Sequence, residues 1–182
     1  MENRIKIDFE KTFKDSLSKN DLAIKEKNLN SFIKDGFPSK RLENWKFSDL
    51  NQIINNHIGE LNFYNSFNKN KNIDNLNSIS KFDHNKIIFL NGKIENIDFN
   101  YEDKDQIVIS GENKAEFTLE KNSLLELNNA FNNNNCQITI KNNYNLKKPL
   151  VIYHLINEEV KYTNINLKLN FLLEKNSSLK LI

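Results

Sequence analysis

Three histidines and one cysteine are the side chains of this 182-residue chain best suited to metal or nucleophilic chemistry: His57, His84, His154 and Cys136. A lone cysteine rules out an internal disulfide and leaves no CxxC or CxxH metal pair. The histidines lie far apart in sequence. Asp83 and His84 are adjacent, but neighbours in an extended strand point to opposite faces and do not easily share a ligand. Cys136 with His154 is a pairing that only tertiary folding would create, either as two metal ligands or as a thiolate and its base. Cys136 also alternates with Ile138 and Ile140, the pattern of an inward strand face, and a buried structural thiol accounts for it. No P-loop, dinucleotide fingerprint or nucleophile elbow occurs, and the four glycines, Gly36, Gly59, Gly92 and Gly111, are too scattered to cradle a phosphate. The expectation is a chain that is not an enzyme, with no catalytic, cofactor or metal residue.

The elements that would position these residues fall into three stretches. Residues 1–56 read as a helical domain. From Asp21, read as an N-cap, Leu22, Leu29, Phe32 and Ile33 fall on one helical stripe. Gly36 offers a left-handed stop, and Pro38 lies where a helix cannot continue. A second short helix is expected from Ser48, with Asp49 at its positive end and Leu50, Ile53 and Ile54 on its apolar side. Residues 57–85 are polar and poorly periodic, and read as a loop or linker. From residue 86 to 182 the period becomes two. Ile87-Ile88-Phe89-Leu90 runs into Asn91-Gly92, a type I′ turn dipeptide. Further strands are expected at 106–109, 117–119, 136–140, 150–156, 164–173 and 178–182. With no long amphipathic helix between them, a doubly wound sheet is not expected. An antiparallel sandwich or barrel and a solenoid of stacked strands both fit. Asn-rich corners suit the solenoid, where amide side chains bond from coil to coil.

Bulk properties narrow the partners. There are 26 basic and 24 acidic residues, a net charge of +2, and the lysines are scattered, so no electrostatic case for nucleic acid exists. The first residues, MENRIKIDFEKTFKD, lack the apolar run of a secretory signal, and no run approaches the ~20 apolar residues of a membrane span. A cytoplasmic location without membrane association is expected.

One window stands apart from the Asn- and Lys-rich background. Residues 37–50, FPSKRLENWKFSDL, contain the only tryptophan, Trp45, together with Pro38 and Arg41. Trp45 has the size to fill a crease between the helical and β parts, with its indole N–H at a polar edge. The alternative is a cation-and-aromatic ligand platform using Lys40, Arg41 and Lys46.

Pro38, Arg41, Glu43, Trp45, Lys46, Ser48, Asp49 and Leu50 match, without a gap, the "P-T-R-R-x-E-x-W-K-Y-T-D-L" pattern of SufD proteins, subunits of the SUF iron–sulfur cluster assembly machinery. Leu127-Asn128-Asn129-Ala130-Phe131, the strand 137–140 and Lys148-Pro149-Leu150 are similar to that family's "L-N-x-A-F … I-x-I … x-P-I" segment. The likeness spans most of residues 22–182 and is thin over 57–85. Phe47 replaces the usual Tyr, Leu42 an acidic residue, and Asn132–Asn135 a turn that usually contains Gly. The resemblance implies an α+β, mainly β chain: a helical N-terminal domain followed by a right-handed parallel β-helix, cut short at Leu181-Ile182. Pro38, Arg41, Glu43, Trp45, Lys46 and Asp49 are then structural. The implied role is a non-catalytic scaffold that pairs with a SufB-like paralogue and a SufC-like ATPase. The iron–sulfur cluster is handled by the wider complex and not bound by this segment. A binding module for a small ligand or carbohydrate is the alternative.

Overall fold

A computed structural model describes residues 2–13, 17–58, 62–63, 79–111, 122–132, 135–156, 160 and 162–182. The chain forms two compact units. The helical unit comprises Met1–Asn65, Glu116–Asn133 and Glu159–Lys168, and the β unit comprises Ser66–Ala115, Asn134–Glu158 and Leu169–Ile182.

In the helical unit, helix α1 (Glu2–Phe13) buries Ile5, Phe9 and Phe13, a stripe at helical spacing. Helix α2 (Lys19–Asp35) starts three residues earlier than an N-cap at Asp21 would have it. Ser18 is the N-cap: its hydroxyl accepts from the Asp21 backbone N–H at 3.2 Å and donates to the Asp21 carboxylate at 2.6 Å. Asp21 therefore sits inside the first turn, where its charge favours the helix dipole. The expected stop holds: Gly36 takes φ 70° and its N–H donates to the Phe32 carbonyl. Short helix α3 (Leu50–Ile53) is capped by Asp49, which accepts from the Gln52 N–H at 3.0 Å, and not by Ser48.

Helix α4 (Ser123–Phe131) was not expected in a stretch read wholly as β. Asn122 caps it, and Leu127, Ala130 and Phe131 form its buried side. Asn128 and Asn129 lower the intrinsic helix propensity, which hid a helical pattern that tertiary burial rescues. These residues close a core of Ile5, Phe9, Phe13, Leu29, Phe32 and Phe63. Phe131 is at its centre, with ring centroids 5.0 Å from Phe63 and 5.7 Å, edge-on, from Phe9. Residues 62–63 are tied in by polar contacts: Asp8 accepts from the Phe63 N–H at 3.1 Å, and Arg4 donates to the Asn62 side chain.

The β unit contains two three-stranded sheets. In the first, β1 (Asn85–Leu90) is central, antiparallel to β2 (Lys93–Asp98) and parallel to β5 (Leu150–Leu155), with Asn85 opposite Leu150. Asn91 (φ 51°) and Gly92 (φ 81°) make the expected two-residue hairpin turn. Ile87, Ile88 and Phe89 are all buried, so this central strand reads as a run and does not alternate. In the second sheet, β4 (Asn135–Ile140) lies between β3 (Ile107–Ser110) and β6 (Lys168–Leu173), and β3 and β4 are antiparallel. Cys136, Ile138 and Ile140 are buried here.

This architecture corrects the right-handed parallel β-helix. The described strands form two small sheets that contain antiparallel pairs, and the chain is mixed helix and sheet. A period of two reports which residues share a face but not the direction of the neighbouring strand. The Asn91-Gly92 turn already required an antiparallel hairpin, which a single-handed stack of rungs does not contain. Segment 178–182 forms isolated parallel bridges, Asn145 to Ser178 and Leu150 to Leu181, in place of the expected strand. The strand expected at 117–119 lies outside the described residues, as does most of the 57–85 linker. The Asn-rich corners supply left-handed turns: Asn143 and Asn176 have φ of 60° and 58°, and the Asn176 side chain donates to that of Asn143 at 3.0 Å.

Candidate functional site

The 37–50 window folds as a chain of tight turns around a short 3-10 helix, Glu43–Trp45. Backbone N–H groups of Leu42, Trp45 and Ser48 donate to the carbonyls of Ser39, Leu42 and Trp45 at 2.9–3.0 Å. Pro38 is buried, Trp45 is half-buried, and Arg41, Glu43 and Lys46 are exposed. Asp49 is engaged as the α3 cap. The conspicuous side chain is Phe47, 90% exposed, with the Lys46 ammonium 5.3 Å from its ring centroid. Leu42 is also more than half exposed. The window is thus an ordered knuckle that presents apolar and cationic groups to solvent.

In the same unit, α1 and α2 flank a half-open pocket of about 530 Å³. Phe9, Phe13, Leu22 and Leu29 line it, with Lys6, Glu10, Glu26 and Asn30 as its polar lining. The dimensions fall within the range of small-molecule clefts. Beside it, the Lys25 ammonium lies 4.7 Å from the Phe13 ring centroid. It donates to the carbonyls of Asn129 and Ala130 at 3.4 Å and of Asn132 at 2.5 Å, so it caps the negative end of α4. Burial lowers its pKa to about 8, with Asp21 acting in the opposite direction.

In the β unit a polar cluster gathers around Glu102. Glu102, a buried carboxylate, accepts four hydrogen bonds. Oε1 takes the Asn85 side-chain amide at 2.7 Å and the Lys148 N–H at 3.1 Å; Oε2 takes the Tyr144 hydroxyl at 2.7 Å and the Lys147 N–H at 3.0 Å. Burial alone would raise the carboxyl pKa, but the donors from Asn85, Lys147, Tyr144 and Lys148 reverse this and hold it below the ordinary glutamate value. Exposed pairs surround it, Lys147 with Asp103 at 2.6 Å and Lys148 with Asp83 at 3.2 Å. Both carboxylate oxygens are fully engaged, so the cluster acts as a clasp between the 102 loop, β1 and the approach to β5.

The histidines and the cysteine take separate places. The Tyr153 hydroxyl and His84 Nε2 are 2.8 Å apart, and His84 Nδ1 is 2.9 Å from the Phe82 carbonyl. That carbonyl requires Nδ1 to carry a proton, and in the neutral imidazole Tyr153 then donates to Nε2. Asp83 turns instead to Lys148 and Tyr101. His154 is exposed and stacks on Phe89 at 5.2 Å, whereas Cys136 is buried and burial raises its thiol pKa. A thiol so held has little thiolate to offer as ligand or nucleophile. The His57 side chain lies outside the described residues. Among the described residues, no group of three His, Cys, Asp or Glu side chains is arranged to hold a metal ion, and no helix is long and apolar enough to cross a membrane.

Lys25, Glu102 and the α1–α2 pocket were not singled out from sequence. Lys25 is one of many lysines, and Glu102 stands in an ordinary acidic loop. Lys25 and Glu102 take their roles from partners 104 and 42 positions away, Asn129 and Tyr144. The exposed Phe47 had a sequence signal, an aromatic between Lys46 and Ser48 in a window already conspicuous. Compared with known proteins, the chain matches no family model and has no significant match among curated proteins.

Proposed function

We propose that the chain is a non-catalytic scaffold subunit acting in iron–sulfur cluster assembly, working in the cytoplasm with a SufB-like protein and a SufC-like ATPase. The observation that carries this reading is the ordered pair of motifs, residues 38–50 and 127–150, that resemble SufD proteins. Several of their residues have structural duties: Asp49 caps a helix, Leu127, Ala130 and Phe131 fill the helical core, and Leu150 is buried at the start of β5, whereas Arg41, Glu43 and Lys46 are exposed. Motif residues spent on caps and core suit a scaffold, whose chemistry is supplied by other subunits. The two small sheets differ from the rod that the family's layout implies and lend the reading no support; it rests on residue identity and order. In the wider complex the cluster is cargo, and this segment binds no cofactor of its own.

Co-expression of the full gene product with SufB-like and SufC-like proteins from the same source tests the reading. The expected outcome is co-elution of all three as one assembly. Retention of neither partner, under conditions where those two bind each other, would overturn it.

A further inference from the structure

We propose that Asn91-Gly92 is a site of spontaneous deamidation gated by the β1–β2 hairpin: the folded turn blocks the reaction, and opening of the hairpin releases it. Asn91 is the one asparagine in the chain that precedes a glycine. Glycine has no side chain to shield its backbone nitrogen, so in an open chain that nitrogen reaches the neighbouring carboxamide. The Gly92 nitrogen attacks Asn91 Cγ. A C–N bond forms, the Cγ–Nδ2 bond breaks, and ammonia leaves with the proton of the Gly92 N–H. Water then opens the five-membered imide at either carbonyl and gives aspartate or isoaspartate. No reactant besides water is needed.

The fold withholds what this reaction requires. Asn91 is 5% exposed and Gly92 is buried, so water has little access. Their φ values of 51° and 81° are the left-handed pair of a type I′ turn. Ring closure needs the Gly92 nitrogen on the Cβ side of Asn91, and the left-handed turn holds it nearly opposite. The turn is not free to rotate by itself. The Asn91 N–H donates to the Leu155 carbonyl at 2.8 Å, and Leu90 pairs with Lys93 across the mouth of the turn. Cyclisation therefore waits for local opening. Closure afterwards is impaired: isoaspartate adds a methylene to the main chain of a two-residue turn, and either product places a carboxylate at a buried position. Asn143 and Asn176 also sit in left-handed turns and are exposed, but Tyr144 and Ser177 follow them, so they supply an internal comparison. The proposal does not depend on the iron–sulfur reading.

Parallel incubations of the full chain in mildly alkaline buffer, native and unfolded in guanidinium chloride, test it. Peptide mapping by mass spectrometry locates each conversion. In the unfolded chain Asn91 converts ahead of the other asparagines, Asn143 and Asn176 included. In the native chain its rate is at least about tenfold lower, because it equals the unfolded rate times the open fraction. Ile97→Ala trims the cross-strand partner of Ile87 and leaves the turn untouched. It raises the native rate about threefold or more at an unchanged circular dichroism spectrum. Converted native molecules, separated by their added negative charge, exchange the amides of β1 and β2 faster than unconverted ones. Native conversion as fast as in denaturant overturns the proposal, and so does an unfolded chain in which another asparagine leads. A native rate that Ile97→Ala leaves unchanged removes the gate, and unaltered exchange in converted molecules removes the impaired closure.

Discussion

The helical unit is packed with rings, Phe9, Phe13, Phe32, Phe63 and Phe131, and beside the buried carboxylate of Asp8 it holds a half-buried ammonium, that of Lys25. The β unit is packed with Ile87, Ile88, Ile138, Ile140, Leu150 and Val151 around Phe89, and its buried ionic group is the carboxylate of Glu102. The charges are opposite, yet the solution is shared. Neither ion is neutralised by a single counter-charge; each is met mainly by the main chain or by neutral side chains. Lys25 serves carbonyls left over at the end of α4, and Glu102 serves the N–H groups of Lys147 and Lys148, which lie outside regular strands. In each unit one charged side chain thereby satisfies several backbone groups that would otherwise lose hydrogen bonds on burial.

Four changes would break or sharpen this comparison. The largest effect is expected from Phe131→Ala, which empties the centre of the ring cluster and should destabilise the helical unit by about 3–5 kcal/mol. Trp45, the only tryptophan, lies in that unit, so denaturant titration followed by its fluorescence reads the loss directly. A loss under about 1 kcal/mol would show that the rings do not form one core.

Glu102→Gln comes next. It replaces one acceptor oxygen by a donor that faces existing donors, and about 2–3 kcal/mol of stability should disappear. Amide hydrogen exchange in β1 and β5 should rise while that in α1 and α2 stays unchanged; equal rises in both would remove the clasp's local role. The same group sets an acid response. Its folded pKa lies below the unfolded value, so its contribution is complete above the unfolded pKa of about 4.3 and disappears as pH falls through the folded value. Acid should therefore loosen the wild-type β unit through this group, and Glu102→Gln should flatten that part of the profile.

Lys25→Met keeps the stem and removes the three donated hydrogen bonds, with an expected loss of about 1–2 kcal/mol, smaller because relief from burying an ammonium offsets part of it. Exchange of α4 amides measures it, and unchanged protection there would deny Lys25 its capping role. Trp45→Ala should have the smallest effect, about 1 kcal/mol in thermal unfolding followed by circular dichroism, because the indole is only half-buried. A loss of 3 kcal/mol or more would restore it as a core residue.

Legibility from sequence followed the range of the interaction involved. The α2 stripe, the Gly36 stop, the Asn91-Gly92 hairpin and the inward face of β4 each depend on residues within a few positions of one another, and each is present. The caps shifted, from Asp21 to Ser18 and from Ser48 to Asp49, because nearby residues of similar capping ability compete and packing chooses between them. Helix α4 was hidden by asparagines whose low propensity is overridden by three buried side chains. The mixed sheets were misread as a stack because strand direction is set by connections that a local period does not encode.

Taken alone, the amino-acid order determined where the chain is helical at its start, which turns reverse it and which side of each well-patterned strand faces inward. These follow from the dihedral preferences and polarity of near neighbours. Only tertiary structure decided which strands pair, in which direction, and which of many similar Lys and Glu side chains are drawn out of water to serve backbone groups. Those outcomes depend on distant segments meeting, and it is that meeting which gave Lys25 and Glu102 their roles.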